Sequence, residues 1–237
     1  GTTMDRAYLC NRHNEIVHGK TNNFTMFGSI TLNKVVGGIN PKAVDVALRL
    51  GAKVVWLPTQ SAKNHMQKMN QDLSQCVEVV KDGKIVPELR SVLELIRDHN
   101  AVLGTAHIAP EEIFTVVEAA RDMGVKNIVV THPEWWIVGM SHEDQLRLVK
   151  DYDVILERCY AQNMGGGKYK SNLKDNLLAM KEIGSEHLII ATDAGQTQNP
   201  YWYESFGESI RYMAEHGASD EDLDAMVKRN PAYILGI

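Results

Sequence analysis

The sequence predicts an α/β fold built on a barrel of parallel strands, and three observations predict it. Short apolar, β-branched runs alternate with amphipathic helical patterns along most of the 237 residues. The runs are nearly continuous in apolar character, which suits strands buried on both faces of a parallel sheet. Three of them close on metal-ligand residue types: GTAH at His107, VVTH at His132 and IIATD at Asp193. In such barrels the side chains at strand C-termini gather around one mouth, so residues far apart in sequence converge.

Seven runs read as strands: RAYLCN (6–11), FTMFGSITLN (24–33), KVVWLPT (53–59), AVLGTAH (101–107), NIVVTH (127–132), DVILERC (153–159) and LIIATD (188–193). The segments between them read as helices. PKAVDVALRLG opens on Pro41, a good first-turn residue, and closes near Gly51. PELRSVLELIRDHN (87–100) carries apolar residues at helical spacing, and PEEIFTVVEAARDMG has Glu111 and Glu112 in its first turn and ends at Gly124. SHEDQLRLVKDY begins with Ser141 followed by Asp144, a capping arrangement. LKDNLLAMKEIG runs to Gly184, and SDEDLDAMVKRNPAYILG starts at Ser219 and breaks near Pro231. Strand then helix, repeated at short intervals, implies right-handed crossovers. With no Pro-, Gly- or Ser-rich linker, one domain over residues 1–237 is expected.

Two insertions interrupt the ladder. Residues 60–86 follow a strand end and contain Asp82-Gly83 between VEVV and KIV, a hairpin signal. This piece reads as a lid over the barrel mouth. NMGGGKYKSN (163–172) has three consecutive glycines and reads as a mobile surface loop; it lacks the spacing of a phosphate-binding loop.

Composition narrows the function classes. The net charge of −5 and pI near 6.0 give no electrostatic footprint for nucleic acid. No run reaches the length of a membrane span, and no signal peptide is visible. Cys10, Cys76 and Cys159 are few and widely spaced, as expected of reduced thiols in the cytoplasm. Gly1-Thr2-Thr3 reads as a tag remnant ahead of a start at Met4.

His107, His132 and Asp193 occupy the same place in their units, which favours a shared site over three separate caps. Two imidazoles and a carboxylate suit Zn²⁺ first, with Mn²⁺ or Fe²⁺ as alternatives. His107 to His132 is 25 positions, and His132 to Glu157 is again 25. Glu157 therefore reads either as a carboxylate facing the mouth or as a buried partner of Arg158 or a lysine. His13, after the first run, and His65, in the lid-like insertion, are further candidates for substrate contact. So are the rim groups Asn33, Thr59 and Gln196. Trp135 and Trp136 follow His132 directly and read as a wall of the site; Trp56 and Trp202 fit ordinary packing equally well.

The order His, His, one strand skipped, then Asp resembles the amidohydrolase superfamily. GSITLNKVVGGINPKAV, VVWLPT, GTAHIAPEE, VVTHPE, ATDAGQTQNP and NPAYILGI look like an uncharacterised branch of it. The resemblance implies a TIM-like (β/α)8 barrel in which His107, His132 and Asp193 end the fifth, sixth and eighth strands. RAYLCN then becomes the second strand, and the first is missing or replaced. The chain contains no HxH pair, which members usually carry on that first strand, and Lys53 sits at the wrong end of its strand to bridge two metals. The resemblance implies a small-molecule substrate and a hydrolase in which Asp193 takes a proton from metal-activated water and passes it to the leaving group. The bond cleaved is expected to be an ester, amide or lactone. The alternatives are a catalytically impaired remnant that binds a small molecule on the same barrel, and a phosphoesterase. Open strand edges at the missing strand predict a homo-oligomer, or N-terminal residues rearranged to plug the seam.

Overall fold

The computed structural model describes residues 5–17 and 25–237. The start at Met4, and Phe24 where the second run was expected to open, lie outside the described residues. The chain divides into two compact units, one through Ile128 and one from Val129 to Ile237.

The first unit opens with helix α1 (Arg6–Val17). This corrects the strand expected at 6–11. The run RAYLCN lacks the alternation of a strand, and Arg6, Ala7 and Leu9 within it are good helix formers. Only Ala7 of α1 is buried, so no apolar stripe marked it. The helix packs on β1 (Ser29–Thr31) and α2 (Pro41–Arg49). Asn14 locks it there: its Nδ2 donates to the Met26 carbonyl and its Oδ1 accepts from the Met26 N–H, each at 2.8 Å. Gly28 makes the approach possible, because a Cβ there would stand 2.2 Å from Cα of Ala7.

Next come β2 (Val54–Trp56), α3 (Lys63–Lys68), β3 (Val80–Lys81), β4 (Lys84–Ile85), α4 (Pro87–Asp98), β5 (Val102–Gly104) and α5 (Pro110–Asp122). Strands β1, β2 and β5 lie side by side and parallel. Helices α2, α4 and α5 each start on proline, as expected, and bury stripes at helical spacing: Leu89, Val92, Leu93 and Ile96 in α4, and Ile113, Val116, Val117 and Ala120 in α5. Gly104 lets β2 and β5 close up, since a Cβ there would meet the Trp56 ring at 2.0 Å. The expected hairpin forms as β3–β4, turning on Asp82 and Gly83 with φ of 52° and 73°. It rests against α5.

Strand β6 (Asn127–Thr131) begins at the end of the first unit. The second unit continues with α6 (His142–Tyr152), β7 (Ile155–Cys159), β8 (Ala161–Gly165), β9 (Lys168–Ser171), α7 (Leu173–Ile183), β10 (Leu188–Ala191), α8 (Trp202–Glu215), α9 (Asp220–Asp224) and α10 (Asn230–Leu235). Strands β6, β7 and β10 are parallel, with Glu157 opposite Thr131 on one side and Ile189 on the other. Ser141 caps α6 as expected, accepting from the Asp144 N–H at 3.1 Å.

Three readings are corrected here. The glycine-rich stretch is a hairpin of β8 and β9, turned by Gly165, Gly166 and Gly167 at φ of 78°, 57° and 73°. Helix α8 was not anticipated, because it buries only Ser205, Ser209 and Met213. Pro231 does not break the last helical run. The turn ahead of it, Ala225–Arg229, widens to a π-helix, and the chain continues into α10 with proline in its first turn.

Candidate functional site

The strand ends chosen from sequence share a backbone property. Ala106, beside His107, has φ of 54°; His132 has 29° and Asp193 has 46°. Left-handed backbone at residues other than glycine is uncommon, and it clusters where structure is held for function.

In the first unit His107 follows β5 and is 8 % exposed. Its N–H donates to the Pro58 carbonyl at 3.2 Å, and its carbonyl accepts from Nδ2 of Asn64 at 3.0 Å. Its ring meets His65, with 2.8 Å between the two Nδ1 atoms. Burial lowers the pKa of His65, favouring the neutral ring. Part of the insertion expected to be a lid is thus built into the end of β5: Asn64, His65 and Met66 of α3 are buried. Asn33 and Thr59 are also brought together. Nδ2 of Asn33 donates to Oγ1 of Thr59 at 2.7 Å, and its Oδ1 accepts from the N–H groups of Thr59 and Ser61. These two fix the loop after β2 rather than standing open on a rim. His13 lies on the exposed side of α1, not in a loop after a strand.

In the second unit His132 ends β6 and sits edge-on to Trp135, centroids 4.7 Å apart at 89°. Trp135 therefore packs its ring against His132. Along β7, side chains alternate, so Glu157 and Arg158 point to opposite faces. Arg158 is fully buried on the side of α6 and α7, where NH1 donates to Oε1 of Gln145 at 2.6 Å, Nε to Oδ1 of Asn176 and NH2 to the Asp175 carbonyl. Its carboxylate partner is Glu134 at 3.5 Å. The Glu157–Arg158 pairing left open by the sequence is thereby excluded.

Glu157 faces the other way, towards the charge of Asp193. Burial, then repulsion from Asp193 and Glu134, raises its pKa to about 8. Partial burial raises Asp193 to about 6; a hydrogen bond from Gln196 opposes the rise and the charge of Glu134 adds to it. Asp193 keeps an open face to solvent, which limits the cost of ionising it. Asn199 folds the following loop back, donating from Nδ2 to the Asp193 carbonyl at 3.1 Å and to Oε1 of Gln196 at 2.6 Å. The expected rim residue Gln196 is thus a partner of Asp193.

Glu134 was not chosen from sequence. It is buried, and Oε1 accepts from the Cys159 N–H at 2.9 Å. Burial raises its pKa while Arg158 opposes the rise. Its place two residues after His132 was the available signal. Among the described residues no group of three or more His, Cys, Asp and Glu side chains is disposed to hold a metal ion. His107 lies in the first unit and His132 and Asp193 in the second; each is of a residue type that ligates divalent cations.

No curated protein matches the chain. Solved structures do. A putative 2-pyrone-4,6-dicarboxylic acid hydrolase from Pseudomonas putida is 19 % identical, over 99 % of this chain and 78 % of that one, with a TM-score of 0.60. A probable dipeptidase from Pseudomonas aeruginosa is 11 % identical, over 97 % and 77 %, with a TM-score of 0.65. An amidohydrolase from Burkholderia multivorans with bound zinc is 9 % identical, over 96 % and 88 %, with a TM-score of 0.51. At these identities the likeness shows the fold alone, an α/β architecture that the chain shares with these proteins. A family model matches residues 1–157, about two thirds of the chain, and on that match the chain belongs to the family of unknown function DUF6282.

Proposed function

We propose that the chain is a metal-dependent hydrolase acting on a carbonyl-centred bond of a small molecule: an ester, amide or lactone. His107, His132 and Asp193 would hold the ion, zinc in first place. When bound, the ion would polarise the substrate carbonyl and acidify water. The observation that carries the reading is Asp193. It stands just past the end of β10, its carboxyl raised to about 6 and bonded by Gln196, with Glu157 next to it raised to about 8. A carboxyl near the working pH is suited to take a proton from water and return it to the leaving group. Glu157, buried beside Asp193, is suited to contact a substrate oxygen. Trp135 supplies an apolar wall beside His132.

The test is metal analysis of the purified protein, with turnover of ester, lactone, amide and phosphoester panels, repeated on His107→Ala and Asp193→Asn. We expect about one equivalent of metal, lost in His107→Ala. Turnover in Asp193→Asn should fall by about 10²- to 10⁴-fold, the span of general-base catalysis. Unchanged metal content and turnover in both variants would refute the reading. Turnover confined to phosphoesters would make the chain a phosphoesterase. Small-molecule binding without metal or turnover would make it a binding protein on the same fold.

A further inference from the structure

The loop after Asp193 turns back on it. The Asn199 N–H donates to the Gln196 carbonyl at 3.1 Å, closing a turn through Thr197 and Gln198. The Asn199 side-chain amide spends both its protons inside this loop. Its Nδ2 donates to the Asp193 carbonyl at 3.1 Å and to Oε1 of Gln196 at 2.6 Å. That settles which way the amide stands, because a flipped amide would set its oxygen against two acceptors. The same logic passes to Gln196. With its oxygen taken by Asn199, the group it has left for Asp193 is its NH2, and Gln196 donates to the Asp193 carboxyl. A glutamine turned the other way would present a carbonyl oxygen to a carboxylate and repel it.

We propose that Asn199 is a positioning residue for Asp193: it holds the Gln196 amide with its NH2 turned to the Asp193 carboxyl, and it ties the Asp193 backbone to the same turn. The proposal rests on the reading of Asp193 as the proton acceptor of a hydrolase. Three features support it. Asp193 stands at φ of 46°, a conformation uncommon away from glycine, and the bond from Asn199 to its carbonyl braces it there. Pro200 follows Asn199 and disfavours helical backbone at it, so the sequence itself narrows the conformations from which Asn199 acts. Asp193, Gln196 and Asn199 all lie in the second unit and in one loop, so the relay needs no other element to assemble it. One side chain thus grips both the backbone of Asp193 and, through Gln196, its carboxyl.

The experiment is side-chain amide NMR of the full chain, beside kinetics on whichever ester, amide or lactone it turns over. Signals are assigned with Gln196→Ala and Asn199→Ala. One proton of the Gln196 NH2 should exchange slowly with solvent, and that protection should fall by about 10-fold in Asn199→Ala, the worth of one hydrogen bond. In turnover, Asn199→Ala and Gln196→Ala should each lower kcat by about 10-fold with KM little changed. The double variant should fall no further than either single one, as residues of one hydrogen-bond network do. A side chain that merely stiffened the loop would give additive losses. Asn199→Asp keeps size and polarity but replaces the donor by an acceptor, so its kcat should stay low. Equal Gln196 protection with and without Asn199 overturns the proposal, as do additive losses or full kcat in Asn199→Asp. If Asn199→Ala does not fold, Asn199→Leu, close to Asn in shape, takes its place. If no bond is turned over, the NMR decides alone: protection lost with Asn199 would support its assignment while the hydrolase reading fails.

Discussion

At the scale of single residues, Arg158 and Glu134 divide labour with Glu157 in a way the sequence left open. The run VILERC shows a buried Glu beside a buried Arg, and adjacency suggests a pair. The pleat separates them: Arg158 goes to the helices and finds Glu134, while Glu157 is left facing Asp193. Both partners of the true pair are essentially buried, at 0 % and 2 % side-chain exposure. Removing one strands the other charge, which costs about 3–5 kcal/mol. We expect Arg158→Met to lose that much in urea unfolding. Glu134→Gln should lose less, since its amide oxygen can still accept from the Cys159 N–H and Arg158 keeps Gln145, Asn176 and the Asp175 carbonyl. A loss under about 1 kcal/mol in Arg158→Met would show that the pair contributes little to stability.

Among the elements, those with strong local chemistry were legible. Pro41, Pro87 and Pro110 opened helices, Ser141 capped one, and six apolar runs contained strands, shorter than the runs that announced them. The failures share a physical cause. Helix α1 buries one residue and carries no apolar stripe, and α8 buries three, two of them serines. Hairpin β8–β9 hides its pairing behind three glycines and an exposed second strand. The Asp82-Gly83 turn was read correctly because two φ-positive positions in sequence demand such residues. Gly83 stands at φ of 73° with open space around a would-be Cβ. Gly83→Ala should therefore meet only the backbone penalty, about 1–2 kcal/mol, and thermal melts should show a drop of a few degrees. An unchanged melting temperature would mean that hairpin β3–β4 does not share in the cooperative unfolding of the first unit.

At the scale of the whole molecule, relatives only 9–19 % identical keep the same architecture. That is why a pattern of strand ends was enough to indicate it, while side-chain networks such as His65–His107 and Glu134–Arg158 required coordinates. Global stability should carry the mark of Glu157. Its folded pKa, about 8, lies above the ordinary 4.5. Below pH 4.5 both folded and unfolded chains hold the proton; between 4.5 and 8 the unfolded chain releases it first, so stability falls as pH rises, and above 8 the loss is complete. Glu157→Gln lacks this titration. In chelator, the melting temperature of the variant relative to the unsubstituted chain should rise between pH 5 and pH 8; a flat difference would show that Glu157 ionises freely. The left-handed residues at the strand ends hold a record of another kind. Glycine would sit at φ of 54°, 29° and 46° with less strain than Ala106, His132 or Asp193 do. A lineage released from its chemistry would be free to drift to glycine at all three. Histidine and aspartate persisting there among the chain's relatives would mark selection for the side chain against the preference of the backbone, and glycine replacing them would mark a fold that outlived its reaction.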